Sequence, residues 1–513
     1  MPAFTLSDQF AVGRPARGLK VGAAEPQPAL GRLWRLLRST LIYAPGLLLT
    51  RISGLLLLVV ATRLVNQTEF GLLTLVVTVG ELTDVAMTNW LRIALLRLGG
   101  KTHVSRGTLW LAGRVLVGTT LLALVVSLAT SRIVVPERWV EFAVAVSSYL
   151  LASSVNRFAL TVLQMQQKQA TYSLLEFLRA ILQLVLPVGA VMLVPNSFFA
   201  MSLGSSVGAL LAGIVAGAIA LGGVTSGPAR FTYRQFFALG VPLFIMALVG
   251  FGLNSAERLF LKVYYDAAAV AVFAATYALA RQPLDMIANA MNIGAFPEVV
   301  STFDEDGPQS AARLVSNMLA LMLRLSLPAA ALLFALCGDL TTLVLPQNYQ
   351  GSVQPMFAMI AFAVIASNLT SFVYGAVIHA HKRPWLLIVA NGAGTVGTIV
   401  FSVLLVPSYA ELGAAAALAA GSIAALIACF VLAERLTPVS VPWRDIGTSV
   451  IIALATGASG ALVSAGLSGT WPLLKLAGGG LAGGTVFLVL NSLIHPTATR
   501  AFATRLRLRL RGA

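Results

Sequence analysis

The sequence predicts an all-α polytopic membrane protein with about 14 transmembrane helices, in two parallel six-helix lobes plus two C-terminal helices. Three observations support this class. Hydrophobic residues make up 58% of the 513 residues and charged residues only 11%, whereas soluble globular proteins have about 25% charged residues. The apolar runs are about 20 residues long, which is the length of a membrane-spanning helix. Features of the first half also recur about 200 residues later in the chain.

Apolar runs between polar breaks define the predicted spans. Six spans form an N-terminal lobe at 41–223, six form a C-terminal lobe at 237–435, and two lie in 446–494. The breaks at Pro195-Asn196-Ser197 and near Pro407 are short. The predicted spans are 41–62, 71–95, 109–130, 139–160, 174–194, 199–222, 237–260, 268–293, 314–336, 355–378, 385–406, 412–433, 446–466 and 473–494.

The net charge of +16 predicts orientation, because cytoplasmic loops of membrane proteins are rich in Lys and Arg. With both termini in the cytoplasm, most of these residues fall on the cytoplasmic side, and Arg157 is counted there. This side bias indicates a membrane protein in contact with anionic membrane lipids, and not a nucleic-acid-binding protein. The opposite side carries Arg63, Arg132, Arg138, Lys262 and Lys475.

The two terminal segments are polar and basic. Residues 1–40 form a cytoplasmic N-terminal segment, of which residues 1–30 lack the apolar core of a secretory signal. In residues 30–40, Arg32, Arg35 and Arg38 alternate with leucines and a tryptophan, which predicts an amphipathic helix on the cytoplasmic leaflet. Residues 495–513 form a basic cytoplasmic tail, which we expect to anchor on anionic lipid, with a dedicated partner-binding tail as the alternative.

Catalytic motifs are missing from the sequence. It has no Walker motif, metal cluster or nucleophile elbow, and its longest non-cytoplasmic loop is 338–354. Cys337 and Cys429 both lie in apolar runs, which excludes a disulfide framework. The sequence therefore predicts no enzyme activity and no cofactor, although an ion gradient of H⁺ or Na⁺ remains open. Gly204 and Gly208, at GxxxG spacing, predict close helix packing.

The internal repeat predicts how the two lobes are oriented relative to each other. Arg63 and Lys262 end spans one and seven, and Glu69-Phe70-Gly71 corresponds to Ala269-Val270-Ala271. Both copies begin with an odd-numbered span, so the lobes are predicted to be parallel. Substrate sites are then expected at the interface between the lobes.

Charged residues in the first lobe mark a candidate site, because a charge at the bilayer centre costs about 2.5–3.5 kcal/mol. Arg51 lies mid-span with no acid within one turn, so its partner must be a ligand or another helix. Glu81 and Asp84, three residues apart on one face of the second span, are the candidate partners.

The second lobe carries an equivalent group. Arg281 and Asp285 lie at i and i+4, and Asn289 continues their stripe, which predicts a cavity wall. Arg258 follows Glu257 in the seventh span and is a further candidate, with an interface anchor as the alternative.

Other arginines have simpler interpretations. Glu176 and Arg179 are expected to form a self-contained pair near the cytoplasmic end of their span. Arg92 and Arg324 are expected to reach the headgroup region.

Together these charges indicate an anion transporter. The planar guanidinium of arginine makes paired bonds to phosphate and stays charged when desolvated. A cavity with several arginines suits an anionic substrate with a polar sugar part. The carboxylates of Glu81, Asp84 and Asp285 are the candidate groups for coupling transport to a cation.

The segment TRISGLLLLVVATRLVNQTEFGLLTL at 50–75 resembles the first two helices of bacterial polysaccharide exporters of the MOP superfamily, the Wzx-type flippases. Thr50-Arg51-Ile52-Ser53-Gly54 also looks like the first-helix motif of lipid II flippases. The resemblance implies a V-shaped alternating-access transporter that moves undecaprenyl-pyrophosphate-linked oligosaccharide across the membrane for exopolysaccharide, capsule or O-antigen synthesis. It also implies a polysaccharide polymerase and export machinery as candidate partners.

The resemblance assigns site residues on two different grounds, a motif match or a location. Arg51 matches the substrate-binding arginine of the family, whereas Arg258, Arg281 and Asn289 are assigned by location. Three alternatives stay open: a lipid II flippase, a multidrug or cation antiporter of the same superfamily, and a membrane-embedded polysaccharide polymerase.

Overall fold

The computed structural model describes residues 53–99 and 104–494. The predicted N-terminal amphipathic helix, Arg51 and the basic tail lie outside these residues. The described part begins with α1 (Ser53–Leu64), followed by a rod made of α2 (Gln67–Asp84), a π-helical turn (Val85–Asn89) and α3 (Trp90–Leu98). The strand β1 (Val104–Ser105) leads into four helices, α4 (Arg106–Val134), α5 (Trp139–Met165), α6 (Gln169–Leu193) and α7 (Phe198–Leu221).

Residues 222–232 connect α7 to α8 and are called the link; they include the strand β2 (Val224–Thr225). The link is followed by α8 (Tyr233–Tyr264), α9 (Ala267–Asp306), α10 (Pro308–Ala335) and the short α11 (Cys337–Val344). A rod of α12 (Val353–Asn368), a π-helical turn (Leu369–Tyr374) and α13 (Gly375–Ala380) comes next. The last described helices are α14 (Trp385–Leu436), α15 (Trp443–Gly466) and α16 (Pro472–Ile494).

The helices confirm an all-α membrane protein. Within the described residues, ten helices are long and apolar enough to cross a membrane. Both predicted short breaks are present. Asn196 has a left-handed φ of 53° between α6 and α7, and Ala410 interrupts α14 with φ 46°, three residues after Pro407. The count of fourteen spans, the lobe boundaries and the orientation stay predictions.

The helices up to α7 form a first group and α8–α14 form a second group, and each group packs mainly within itself. In the first, α7 packs on α5 and α6, and in the second, α8 packs on α14 and α12 packs on α9 and α14. The α15–α16 pair lies against α10. Gly204 and Gly208 of α7 lie so close to the backbone of α6 that an added Cβ would come within 2.9 Å of it. The predicted close packing at this GxxxG spacing is therefore confirmed.

Glu69, Phe70 and Gly71, in the first two turns of helix α2, hold the two groups together at the end that is predicted to be non-cytoplasmic. The carboxylate of Glu69 pairs with Arg138 and accepts a bond from the N–H of Phe198 at 2.8 Å, at the start of α7. A Cβ on Gly71 would lie 1.7 Å from the carbonyl oxygen of Ala267, at the start of α9. The glycine therefore permits backbone contact between α2 and α9.

Further contacts close the same end. The Arg63 guanidinium donates to the carbonyl of Leu343 at 2.7 Å, and the Gln67 amide donates to the carbonyl of Asn348 at 2.6 Å. The ring of Phe70 meets Tyr349 edge-on, with centroids 6.3 Å apart. These contacts join the end of α1 and the start of α2 to α11 and to the chain that follows it.

A pair of helix caps repeats across the two groups. The side chain of Asn66 accepts a bond from the N–H of Glu69 at 2.8 Å, and Asp266 accepts one from Ala269 at 2.9 Å. Each cap satisfies a free N–H in the first turn of its helix, α2 or α9. The equivalence supports the repeat that the sequence suggests at these positions.

The opposite end is fastened by the link between the two groups. Strands β1 and β2 pair in parallel, with Val104 opposite Val224. The Ser105 hydroxyl donates to the carbonyl of Pro228 at 2.7 Å, and the N–H of Gly107 donates to Gly227 at 3.0 Å. The link is therefore bound to the start of α4.

Candidate functional site

An ion pair lies at the centre of the first group of helices. The guanidinium of Arg157 on α5 bonds to one carboxylate oxygen of Asp84, at the end of α2. The hydroxyl of Thr88 donates to the other oxygen. Thr88 belongs to the π-helical turn that follows Asp84. The side chain of Asp84 is fully buried, so a paired charge is required there.

This finding corrects the placement of Arg157 among the cytoplasmic charges. Helix α5 continues to Met165, five residues beyond its predicted end, so Arg157 lies two turns inside the helix. The carboxylate of Asp84, 73 residues away in sequence, compensates its charge. Of the two acids expected to serve Arg51, Asp84 is therefore already paired.

A basic cavity of about 230 Å³ lies beside this pair, with α3, α5 and α6 contributing its charged residues. Its walls carry three arginines, Arg92, Arg157 and Arg179, and one acid, Glu176. Arg179 bonds to Glu176 at 2.6 Å, as the sequence predicts, and Arg92 donates to Asn89 at 3.3 Å. We call this the basic cavity. The remaining polar residues in its walls are Tyr149, Ser153, Asn156, Thr161, Gln164, Tyr172 and Gln183.

The arginines of the basic cavity retain bonding capacity. The Nε atoms of Arg92 and Arg179 are buried and have no hydrogen-bond partner among the described residues. Sequence reasoning assigned Arg92 to the headgroups and Arg179 to a closed pair, and so missed this cavity. The available signal was a basic residue inside three apolar runs of the same lobe.

The second group of helices carries a cluster around the ring of Tyr277. The guanidinium of Arg258 lies 4.7 Å from the ring centroid and that of Arg281 lies 5.3 Å from it. Arg281 also bonds to the Tyr277 hydroxyl and to Asp285, the latter at 2.8 Å. Two arginines are thus held close together on α8 and α9. We call this the tyrosine cluster.

The other cluster residues hold Asp285 in place. Asn368 of α12 donates to its carboxylate at 3.2 Å, and Asn289 donates to its backbone carbonyl at 2.7 Å. Arg281 and Asp285 line a cavity of about 10 Å³, so the predicted wall borders a small space. Such a volume is roughly that of one water molecule.

Arg258 joins the two groups of helices. It donates to the hydroxyl of Thr78 on α2 at 3.4 Å, and its Nε lies 3.9 Å from the buried carboxylate of Glu257. Glu81, one turn further along α2, has an exposed side chain that interacts electrostatically with Arg157. The face of α2 between Thr78 and Asp84 therefore lies between the tyrosine cluster and the basic cavity.

Two further arginines were singled out in the sequence, Arg324 and Arg51. Arg324, expected to reach the headgroups, instead bonds to Asp445 of α15 at 2.9 Å. Arg51 lies outside the described residues, so its predicted role stays a prediction.

Comparisons with known proteins agree on the fold. The family described as "Polysaccharide biosynthesis protein" matches residues 60–354. A structure titled "Lipid II flippase MurJ, inward closed conformation" is similar with a TM-score of 0.65 at 14% identity, covering 90% of this chain and 100% of that one. No curated protein matches the sequence.

Two other structures share the fold. A MOP superfamily transporter from Pyrococcus furiosus has a TM-score of 0.56 at 13% identity, covering 78% of this chain and 94% of its own. An inward-facing multidrug resistance MATE family transporter has a TM-score of 0.55 at 15% identity, covering 75% and 94%. The fold is therefore the one that these MOP superfamily structures share.

Proposed function

Because this chain belongs to the polysaccharide biosynthesis protein family, we propose that it flips undecaprenyl-pyrophosphate-linked oligosaccharide repeat units across the bacterial inner membrane. The headgroup passes through the basic cavity and the tyrosine cluster while the lipid tail stays in the bilayer. The repeat units serve exopolysaccharide, capsule or O-antigen synthesis.

The basic cavity is the observation that carries this proposal. Three arginines face one glutamate in its walls, and two guanidinium nitrogens are buried without a partner among the described residues. Pyrophosphate supplies several acceptor oxygens for such donors, and arginine makes the paired bonds that suit it. The amide and hydroxyl side chains in the same walls suit sugar hydroxyl groups.

The arrangement of the two groups supports loading from the cytoplasm. At the predicted non-cytoplasmic end, the bonds of Arg63 and Gln67 and the Gly71–Ala267 contact join the groups. In alternating access, a site closed on one side is reached from the other. We propose that these contacts part when the headgroup is released, with both termini in the cytoplasm.

Coupling to a gradient of H⁺ or Na⁺ is part of the proposal. Glu81, Asp84 and Asp285 are the candidate carboxylates, and they lie beside arginines that the substrate also uses. Competition between the cation and the substrate anion for these groups would make binding of the two mutually dependent. A polysaccharide polymerase and export machinery are the proposed partners downstream.

Flipping in proteoliposomes tests the proposal directly. Purified protein is reconstituted with a fluorescent undecaprenyl-pyrophosphate-linked oligosaccharide, and quenching of the outer leaflet reports the transfer. We expect the variant with Arg92→Gln and Arg179→Gln to bind the lipid about 100 times more weakly or worse, because it loses two charge-assisted bonds of about 1.5–3 kcal/mol each. The control Arg313→Gln, at an exposed residue of α10, should behave as the wild type.

Parallel assays separate the alternatives. Lipid II carries the same pyrophosphate with another headgroup, so equal or faster transfer of lipid II would replace the proposed substrate. A cationic drug should not be transported, because three arginines line the cavity. Unchanged oligosaccharide flipping by the double variant would contradict the role of the basic cavity.

A further inference from the structure

A groove of about 800 Å³ lies between α4 and α7 on the outside of the first group of helices. We propose that it binds the headgroup phosphate of an anionic phospholipid from the cytoplasmic leaflet. It is at the end of the molecule where β1 meets β2, which the charge pattern predicts to be cytoplasmic. Its residues are Arg106, Leu109, Trp110, Gly113, Arg114, Val117, Phe158, Leu221, Val224, Thr225 and Ser226.

The charge of the groove is positive. Arg106 and Arg114 line it, and no acidic residue does. Neither arginine has a carboxylate partner within residues 53–99 and 104–494. The guanidinium of Arg114 instead lies 5.1 Å from the ring centroid of Trp110, which fixes its position without neutralising it. An anion is therefore the ligand that complements these two side chains.

The two arginines lie at different levels along α4. Eight residues of α-helix correspond to about 12 Å along α4. Arg106 begins α4 ahead of the predicted span 109–130, and Arg114 lies inside that span. A phosphate between them receives donors from both sides, and long arginine side chains reach the interface from within the hydrocarbon.

The walls of the groove suit acyl chains. Trp110 is 60% exposed, Val117 is 59% exposed and Leu221 is 66% exposed. The apolar surface continues along α4 through Leu121 and Val125, toward the opposite end of the membrane. A phospholipid with its phosphate at the arginines can therefore lay its chains along α4 without exposing apolar surface to water.

The groove is distinct from the proposed transport site. Phe158 of α5 lines it, whereas the preceding residue, Arg157, faces Asp84 and the basic cavity. Its mouth includes Val224, Thr225 and Ser226, which belong to the link between the two groups of helices. A bound phospholipid would touch this link and not the substrate.

Native mass spectrometry of the full chain in detergent tests the site. The protein is titrated with dioleoyl-phosphatidylglycerol or dioleoyl-phosphatidylcholine, and the bound lipids are counted. We expect a preference for phosphatidylglycerol that falls about tenfold or more in the Arg106→Gln, Arg114→Gln double variant. The control Arg132→Gln, at the other end of α4 beside Trp139, should keep the preference.

Each remaining outcome decides the question. If the double variant fails to purify as a folded monodisperse protein, Arg114→Gln alone must lower the preference. Brominated phosphatidylglycerol must then quench more tryptophan fluorescence in the wild type than in Arg114→Gln or in the Trp110→Phe reference, which lacks the fluorophore of the groove. Equal binding of the two lipids by the wild type overturns the proposal. Displacement of phosphatidylglycerol by farnesyl pyrophosphate would assign the groove to the transported lipid instead.

Discussion

Arg157 of α5 and Asp84 of α2 form an ion pair in which the side chain of Asp84 is fully buried and that of Arg157 is 28% exposed. The pair fixes the wall of the basic cavity, because Arg157 lines that cavity. It also connects α5 to the rod of α2 and α3, which contacts the second group of helices. The stability of this wall therefore depends on a single carboxylate.

Removing one partner of this pair should destabilise the protein. Asp84→Asn or Arg157→Gln leaves a buried charge without its partner, and the cost is about 3–5 kcal/mol in comparable pairs. Thermal unfolding in detergent should show a clear loss in both single variants. The double variant should lose less stability than the two single variants lose together. As a control, Glu141→Gln removes a half-exposed pair with Arg138 and should lower the free energy of unfolding by about 1 kcal/mol or less. Single variants as stable as Glu141→Gln would contradict the pairing.

Arg51 gives a prediction that rests on the sequence alone. We expect Arg51→Ala to abolish glycan export while the protein still inserts at wild-type levels, because a contact to the desolvated pyrophosphate is lost. Arg51→Lys should restore export only in part, because a point charge replaces the planar fork. Export of surface glycan and membrane protein level are measured together. Wild-type export by Arg51→Ala would remove this residue from the site.

Glu81 separates coupling from stability. Asp84 and Asp285 are held in ion pairs, whereas Glu81 has an exposed side chain and no ion pair within the described part of the chain. Glu81→Gln should therefore leave protein level and thermal stability unchanged. If Glu81 binds the coupling cation, export by this variant should no longer respond to collapse of the H⁺ or Na⁺ gradient. Asp285→Asn serves for comparison and should also lose stability, because Arg281 loses its carboxylate.

A normal gradient response in Glu81→Gln would exclude this acid from coupling. A stability loss as large as that of Asp285→Asn would instead assign Glu81 to a structural role. Both readouts come from the same membrane preparation, so the two results can be compared directly.

The contact between Gln67 and the chain at Asn348 should open during transport. A variant with Gln67→Cys and Asn348→Cys, linked by a short bismaleimide, should retain substrate binding but lose flipping. The native cysteines interfere little, because Cys337 and Cys429 are buried and burial raises the pKa of Cys337 to about 11. Flipping in proteoliposomes before and after linking is the measurement. Each single-cysteine variant is a control, and undiminished flipping after complete linking would show that this end does not open.

Local signals in the sequence predicted the architecture well. Apolar run length predicts helices in a membrane, and both short breaks, at Asn196 and beyond Pro407, occur where polar or turn-forming residues interrupt a run. At both breaks the backbone conformation is determined by residues that are close in sequence, so a single sequence is sufficient to predict the break. The Gly204–Gly208 spacing is informative for the same reason, because close approach of two helices requires small side chains.

The candidate site depended on contacts that no local pattern contains. The partners Arg157 and Asp84 lie on different helices, and the π-helical turn that brings Thr88 to Asp84 leaves no evident pattern in the sequence. Arg92 and Arg179 were interpreted one helix at a time, so their convergence on one cavity was missed. The i,i+4 pair of Arg281 and Asp285 was found because both members lie on one helix face.

The attachment of the interhelical link to α4 limits how the two halves can move. A free chain of ten residues reaches about 33 Å, but residues 224–230 are bonded to the start of α4 by the strand pair, Ser105, Gly107 and Thr108. The ring of Phe231 then stacks on that of Phe236, with the ring centroids 4.7 Å apart. Only the backbone near Thr232 is therefore free to change its dihedral angles when the second half moves. We expect one half to rotate against the other about this point, and a larger separation requires the hydrogen bonds between β1 and β2 to break first.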